Sequence, residues 1–303
     1  SPAVLLVGFL IAVVPPLLLG GDWNDWITRA TVFIVAAAPC ALVISIPITL
    51  VATLGTGARN GVLIKGGIYV EELARVQVVA LDKTGTLTRG EPEVTDVVNL
   101  DPDGGVTTHE ALAMAAGFEA RSQHPLAQAI VRYTQAQEIA PAAVADFRSL
   151  TGAGATAQFE GQTVYVGSPD LFQSRLGISL HHAWDDINHL QDEGKTVVVL
   201  GSEHGAWALL ALRDTIRANA ARAIDALHAA GIKQVVMLTG DNARTAHAIA
   251  RELGIDEIYA DLKPEDKAVK VRELSQRYGH VAMVGDGVND APALAEATVG
   301  VAM

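Results

Sequence analysis

The residues with the clearest chemical potential are the heptad Asp-Lys-Thr-Gly-Thr-Leu-Thr at 82–88, which follows the apolar run 76–81. Such a run predicts a parallel strand covered on both faces. Asp82 then lies at the carboxyl end of the strand, where open α/β sheets bind ligands. The Gly-Thr-rich turn supplies N–H groups that can surround phosphoryl oxygens. A carboxylate in this setting is suited to attack a phosphorus atom.

Two more polar segments follow apolar runs further along the chain. One is Thr239-Gly-Asp241, and the other is Gly285-Asp-Gly-Val-Asn-Asp290. Because the carboxyl ends of parallel strands meet at one edge of a sheet, we expect Asp82, Thr239 and Asp286 to converge there.

Carboxylates that share a site repel one another, and a hard cation with oxygen ligands relieves the repulsion. We therefore expect a Mg²⁺ ion held by Asp82, the Thr84 carbonyl, Asp286 and Asp290. The ion would also neutralise charge during phosphoryl transfer.

Other side chains complete the candidate site. The Thr239 hydroxyl can donate to a phosphoryl group, and Lys267, in the first turn of a predicted helix, can supply positive charge. Asp241 is a further catalytic candidate, and Asn289 extends the polar edge as a candidate cofactor-binding residue.

The elements that position these residues alternate between strand and helix. The runs 76–81, 206–212, 234–238 and 280–284 predict strands, with helices between the later ones. This rhythm predicts a doubly wound parallel sheet of class α/β, formed by residues 76–90 and 205–303. Residues 91–204 break the rhythm and predict an inserted α+β domain. Asp214 is a plausible N-cap of the next helix.

The amino-terminal part predicts a membrane region over residues 1–54. Apolar runs at 3–19 and 27–54 are each long enough to cross a bilayer, and the tryptophans of the turn between them suit its interface. The basic residues after the second run place residue 55 onward in the cytoplasm by the positive-inside bias. Residues 55–75 form a Gly-rich linker or stalk.

The second run contains Ala38-Pro39-Cys40 and then Pro47. Proline frees helical carbonyl groups, and Cys40 lies about 15 Å along the helix, near the middle of a bilayer. A thiolate beside free carbonyls is a soft-metal ligand. The alternative is a small apolar cysteine packed in a helix.

Composition narrows the possible functions. The formal net charge of −12 argues against a nucleic-acid-binding surface, which would be basic. Cys40 is the only cysteine, so the chain forms no internal disulfide, and a reducing compartment suits it.

The heptad at 82–88 resembles the phosphorylation motif of P-type ATPases, ion pumps built on a haloacid-dehalogenase-like core. Together with Asp286 and Lys267, this resemblance implies that ATP phosphorylates Asp82 in the presence of Mg²⁺. It also implies that 76–90 plus 205–303 form a phosphorylation domain and that 91–204 form a nucleotide-binding domain.

Two other motifs are similar to those of the heavy-metal-transporting branch. Ser122-Gln-His-Pro125, followed by Gly152-Ala-Gly154, resembles its nucleotide-binding domain, which implies that Glu119, His124, Gly152 and Gly154 hold the adenosine of ATP. Ala38-Pro-Cys40 resembles its ion motif, usually Cys-Pro-Cys or Ser-Pro-Cys. Ala38 departs from that pattern, which lowers the expectation for copper(I) and leaves zinc, cadmium or cobalt.

Several alternatives remain at this stage. A membrane-anchored phosphatase could use the same Asp82, although Thr84 stands where such phosphatases carry a catalytic Asp and cannot act as a carboxylate base. A non-transporting metal or nucleotide sensor and a pump for another cation are also open. The resemblance further implies that an actuator domain before residue 1 and later membrane helices after residue 303 belong to the parent protein, so that this chain is a fragment.

Overall fold

The computed structural model describes residues 2–101, 105–122, 124–150, 152–287 and 289–303, with the side chains of residues 38–42 and of residue 119 outside that description. The chain divides into two compact units, Ser1–Ala74 and Arg75–Met303.

The first unit is helical. It contains α1 (Pro2–Leu19), α2 (Trp23–Arg59) and α3 (Gly67–Leu73). Asp22 caps α2 by accepting a hydrogen bond from the Asn24 N–H at 2.7 Å, which satisfies a donor that the first turn leaves free.

Most large apolar side chains of the first unit are exposed. Within the described residues, α1 is the one helix that is long and apolar enough to cross a membrane, while Val43–Arg59 is a shorter apolar segment of α2. Leu18 and Leu19 are 77% and 80% exposed. A surface of this kind suits lipid better than water. The expected second span, 27–54, lies within α2, and its crossing of a membrane stays a prediction.

The second unit is built on two sheets. The first has five parallel strands in the order β11-β10-β1-β8-β9. Its strands are β1 (Val78–Asp82), β8 (Gln234–Leu238), β9 (Glu257–Tyr259), β10 (Val281–Gly285) and β11 (Val299–Ala302). The helices that pack on it are α7 (Ala220–Ala229), α8 (Ala243–Leu253), α9 (Pro264–Tyr278) and α10 (Ala291–Glu296). The predicted doubly wound parallel sheet is confirmed.

Both faces of this sheet are covered, which explains why its strands are apolar throughout. Val79 and Leu81 face the cluster formed with α7 and α8. Val78 and Ala80 face the opposite cluster, formed with α9 and α10. Alternate side chains of one strand therefore stabilise both layers. The five-stranded sheet and its helices, residues 76–87 and 217–303, are called the core below.

The second sheet has six antiparallel strands in the order β2-β7-β6-β5-β4-β3. They are β2 (Thr88–Asn99), β3 (Ala145–Leu150), β4 (Gly154–Phe159), β5 (Gln162–Gly167), β6 (Thr196–Ser202) and β7 (Gly205–Ile216). Helices α4 (Thr108–Glu119) and α5 (Pro125–Ala136) contribute to one hydrophobic cluster on this sheet, and α6 (Trp184–Asp192) contributes to another. Residues 88–216 are called the insert.

Two details of the predicted boundary are wrong. The apolar run 206–212 lies in β7, which pairs with β2 and β6 of the insert, so the chain returns to the core after Ile216 and not at residue 205. Asp214 lies inside β7, and the next helix begins at Ala220. An apolar run can form a buried strand in the parallel sheet of the core or in the antiparallel sheet of the insert. The sequence of the run therefore does not reveal which of the two sheets it joins.

Candidate phosphoryl-transfer site

Asp82 is the last residue of β1, between β8 and β10. In the register of these strands it lies opposite Leu238, directly before Thr239, while Leu81 lies opposite Val284. The structure therefore brings Asp82, Thr239 and the segment after β10 to one edge of the sheet.

Lys267 joins two carboxylates at this edge. Its Nζ donates a hydrogen bond to Asp82 Oδ1 and another, at 2.8 Å, to Asp290 Oδ1. Asp82 is 4% exposed and Asp290 is 1% exposed, so the ammonium group is their main electrostatic partner. Helix α9 positions the lysine because Pro264 begins the helix and Lys267 follows one turn later.

Burial raises the pKa of Asp82 to about 6; Lys267 opposes the shift, while Asp290 and Asp286 add to it. Burial also disfavours the charge on Lys267, but Asp82 and Asp290 raise its pKa above the ordinary value. The lysine is therefore charged at neutral pH, and further positive charge would favour the binding of an additional anionic group beside these carboxylates.

A second pair lies beside the nucleophile candidate. Asp241 Oδ2 accepts a hydrogen bond from Thr239 Oγ1 at 3.1 Å and forms an ion pair with Lys83 Nζ at 2.5 Å. Thr239 is buried. In this arrangement the Thr239 hydroxyl faces Asp241, and it must rotate to donate to a phosphoryl group.

The turn after Asp82 is held by Asp214 and Arg217. Asp214 accepts hydrogen bonds from the Thr88 hydroxyl at 2.6 Å and from the backbone N–H groups of Gly90 and Glu91 at 3.1 and 3.2 Å. These contacts fix the start of β2, where the chain leaves the core.

Arg217 holds the same turn from its carbonyl side. It donates to the carbonyl groups of Gly85, Thr86 and Thr88 at 2.8–3.0 Å. Gly85 has φ +77°, which favours glycine. The sequence predicts a helix cap at Asp214 and does not predict these contacts. The signal that it offers is an acidic and a basic residue three positions apart, Asp214 and Arg217, where the insert returns to the core.

The expected Mg²⁺ ligands are oxygen donors of the type that this ion prefers. Asp286 is half-buried, and Thr84 is exposed. Buried Oδ2 of Asp290 has no hydrogen-bond partner among the described residues. No three His, Cys, Asp or Glu side chains form a ready metal cluster within the described ranges. The donor chemistry fits Mg²⁺, with Asp82, Asp286, Asp290 and the Thr84 carbonyl as the residues that would hold it.

Asn289 is exposed, and its backbone N–H lies 3.4 Å from Asp286 Oδ1, so it orders the loop after β10. Its expected contact with a nucleotide stays a prediction.

The four residues expected to hold adenosine lie in the insert, far along the chain from Asp82. His124 caps α5, and its Nδ1 accepts a hydrogen bond from the Leu126 N–H at 3.3 Å. Desolvation lowers the pKa of His124, although the side chain keeps an exposed edge. The ring is therefore neutral at pH 7, and because its Nδ1 accepts a hydrogen bond, its proton lies on Nε2, which can donate to a ligand. The side chain of Glu119, the last residue of α4, lies outside the described residues.

The two glycines of the β3–β4 turn differ. Gly152 has φ +70° and open space where a Cβ would lie. Gly154 has φ +152°, and a Cβ there would lie 2.0 Å from the carbonyl oxygen of Val166. Close contact between β4 and β5 thus requires Gly154 even without a nucleotide, whereas Gly152 leaves its position open to a ligand.

We predict that Gly154→Ala lowers the free energy of unfolding by about 3 kcal/mol, because it combines overpacking with backbone strain. Gly152→Ala is expected to lower it by about 1 kcal/mol through strain alone. Thermal unfolding with and without ATP measures both effects. Equal stability of the two variants would contradict the packing role of Gly154.

Cys40 lies in α2, but its side chain is outside the described residues. Its role as a metal ligand therefore stays a prediction.

Comparison with known proteins places these features in context. Residues 76–298 match the family of haloacid dehalogenase-like hydrolases. The zinc/cadmium/lead-transporting P-type ATPase of Escherichia coli strain K12 is 45% identical over 303 residues, which is 100% of this chain and 40% of that protein. The chain spans about two fifths of the length of the curated relatives it matches.

Solved structures agree with this comparison. A zinc-transporting PIB-type ATPase in the E2.Pi state is 44% identical with a TM-score of 0.67, over 100% of this chain and 48% of that one. A catalytic CPx-ATPase domain, CopB-B, is 30% identical with a TM-score of 0.61, over 82% of this chain and 86% of that one.

Proposed function

Because the chain belongs to the haloacid dehalogenase-like hydrolases, and within them to the heavy-metal P-type ATPases, we propose that it is the catalytic part of an ATP-driven metal-ion transporter. ATP phosphorylates Asp82, and the phosphorylation state controls access of a metal cation to the membrane part. Zn²⁺ and Cd²⁺ are the favoured ions, followed by Co²⁺, and export from the cell is the direction that we propose.

The observation that carries this proposal is the group of Asp82, Lys267 and Asp290 at the end of the parallel sheet. Asp82 is a buried carboxylate at the end of a strand, with one charged lysine beside it. The turn that follows is fixed by hydrogen bonds to Asp214 and Arg217. This arrangement suits attack of the carboxylate on an electrophile. The turn leaves Thr84 exposed beside Asp82, where an incoming phosphoryl group would pass.

In the proposed reaction, an Asp82 carboxylate oxygen forms a bond to the γ-phosphorus of ATP, and the bond from that phosphorus to the β,γ-bridging oxygen breaks. ADP leaves with the electron pair. Lys267 reduces the repulsion between Asp82 and the incoming phosphoryl oxygens, and the Thr239 hydroxyl donates to one of them. Mg²⁺, when bound, neutralises phosphate charge.

The proposed aspartyl phosphate persists because Thr84 supplies no carboxylate to activate water. Persistence separates a pump, which uses the intermediate to change conformation, from a phosphatase, which hydrolyses it. Turnover of a generic phosphomonoester is therefore expected to be poor.

The adenosine part of ATP is proposed to bind the insert at His124, Glu119 and the Gly152–Gly154 turn. The insert then presents the γ-phosphate to the core. The exposed apolar surface of α1 and α2 supports a place for these helices in a bacterial plasma membrane, with residues 55–303 on the cytoplasmic side. An actuator domain and further membrane helices of the parent protein are the remaining partners.

The test is ATP hydrolysis by the full-length parent protein in membranes, with Zn²⁺, Cd²⁺, Co²⁺, Mn²⁺ or Cu⁺ added in turn. We expect Zn²⁺ or Cd²⁺ to stimulate hydrolysis at least about tenfold, and Cys40→Ala to remove the stimulation, since a soft thiolate ligand is lost. Cys40→Ser is the matched control for size. Hydrolysis that ignores every metal would contradict the transport proposal.

A further inference from the structure

The insert contacts helix α8 of the core along one face, separately from the two strands that connect insert and core. The contacting positions are Asp241, just before α8, and Arg244, Thr245, Ile249 and Glu252 on it. Thr245, Ile249 and Glu252 are spaced by four and three residues and therefore share a helix face, with Arg244 beside Thr245. The insert supplies residues 192–196, called the α6–β6 corner, and Arg213 of β7, which pairs with Glu252 at 3.0 Å.

The buried part of this contact is a hydroxyl. Thr245 is fully buried, and its Oγ1 donates to the Lys195 carbonyl at 3.0 Å while accepting from the Asn242 side-chain amide at 2.9 Å. The Lys195 ammonium binds Asp96 of β2 at 2.7 Å and Glu193 at 2.5 Å. The corner is therefore tied both to α8 and to the rest of the insert.

The exposed part is an ion pair. Arg244 Nη1 lies 3.1 Å from each carboxylate oxygen of Asp192. Between these two contacts, Gly194 has φ +76°, and a Cβ there would lie 3.4 Å from the Ile249 side chain. The backbone of the corner thus packs closely on α8.

The same contact reaches the reaction site. The Thr196 hydroxyl lies 3.4 Å from Asp241 Oδ1. Asp241 Oδ2 in turn holds Lys83, the residue after Asp82. A displacement of the corner therefore changes the surroundings of the carboxylate that orders the turn beside the nucleophile.

We propose that the α6–β6 corner docks on α8 to set the insert in place for phosphoryl transfer, with Thr245 and Arg244 as positioning residues. Two connecting strands, β2 and β7, leave the insert free to swing about their junction with the core, and a third attachment removes that freedom. The proposal rests on the proposed function, because the γ-phosphate must be carried by the insert to Asp82. Small displacements of reacting groups lower rates steeply, by about 10²-fold for 1 Å.

The test measures phosphoenzyme formation from ATP by the full-length parent and, separately, its affinity for trinitrophenyl-ATP. In Thr245→Val we expect a rate at saturating ATP about tenfold lower, with nucleotide affinity within about twofold of wild type, since Thr245 belongs to the core and the adenosine residues belong to the insert, outside the α6–β6 corner. Thr245→Ser keeps the hydroxyl and is expected to restore the rate.

If Thr245→Val fails to fold because Thr245 is buried, substitutions at the exposed residues Arg244 and Asp192 test the proposal. Arg244→Ala is expected to lower the rate about threefold, and the exchange Asp192→Arg with Arg244→Asp is expected to recover it. Arg272→Ala removes an exposed ion pair to Glu296 within the core and serves as the matched control. Normal rates in both Arg244→Ala and Thr245→Val would overturn the proposal, as would a loss of rate that is matched by the loss of nucleotide affinity.

A second measurement separates this proposal from the proposed function. If the wild-type parent forms no phosphoenzyme, the proposed function fails, and amide hydrogen exchange then tests docking alone. Exchange at residues 192–202 that becomes at least about tenfold faster in Arg244→Ala, but not in Arg272→Ala, would support docking. Unchanged exchange would overturn it.

Discussion

Lys267→Ala is expected to lower phosphoenzyme formation from ATP about 10²- to 10³-fold, the typical effect of removing one preorganised charged donor from a site. The lysine is the main charge partner of both Asp82 and Asp290, and without it the buried carboxylates repel each other and an incoming phosphate. The measurement is the initial rate of acid-stable labelling of the full-length parent by γ-labelled ATP.

Lys270→Ala is the matched control, because Lys270 lies one turn further along α9, pairs with the exposed Glu273 and contacts the Tyr259 ring, away from Asp82 and Asp290 in the described contacts. Its rate is expected to stay within about twofold of wild type, as for most surface ion pairs. A rate for a folded Lys267→Ala protein within about threefold of wild type would refute the role of Lys267.

The same substitution has a pH signature. The pKa of Asp82 in the folded protein is about 6, above its ordinary value of 3.8, so the folded state binds the proton more tightly than the unfolded state. The stability contributed by this carboxyl is therefore present below pH 3.8 and is lost as the pH rises through about 6. Lys267→Ala removes the charge that opposes this shift, so it is expected to raise the pKa of Asp82 further and to extend the loss to higher pH, as measured by the apparent melting temperature without Mg²⁺.

Arg217→Ala is expected to lower the free energy of unfolding by about 3 kcal/mol and phosphoenzyme formation at least about tenfold. The guanidinium group binds three carbonyls of the turn after Asp82, and its removal leaves them without that donor. The turn can then shift by a fraction of an ångström, which is enough to misplace Asp82 for in-line attack.

Arg217→Lys tests the geometry of this contact, because an ammonium group cannot reproduce the planar fork of a guanidinium group. We expect it to recover less than half of the lost stability. Arg222→Ala, on the exposed face of α7, is the control for loss of charge. If Arg217→Ala leaves both the melting temperature and the rate of labelling unchanged, the turn keeps its conformation without Arg217, and the proposed role of this residue is wrong.

The apolar strands of the core were predictable because a parallel strand covered on both faces has a continuous apolar sequence. The strand at 234–238 lies at the predicted residues, and Gly254 ends α8 in the left-handed conformation that glycine adopts readily. An apolar run and a glycine after a helix each determine the structure of the few residues around them, so both can be recognised from the local sequence.

Long-range pairing was less predictable. Lys267 and Asp82 are 185 residues apart, and the position of Lys267 in a first helical turn indicated a positive charge near the site but not its hydrogen bond to Asp290. The sequence predicts a helix cap at Asp214 because Asp commonly caps helices. Its partners in the turn at 88–91 become visible only when β7 is paired with β2.

The measurement that tests the central claim most directly is acid-stable labelling of the full-length parent by γ-labelled ATP with Mg²⁺ and Zn²⁺ or Cd²⁺, in wild type and in Asp82→Asn. Asparagine keeps the size of the side chain and removes its nucleophilic charge. We predict label in the wild type that hydroxylamine releases, as it does from an acyl phosphate, and none in Asp82→Asn. Equal label in both proteins would contradict Asp82 as the site of phosphorylation.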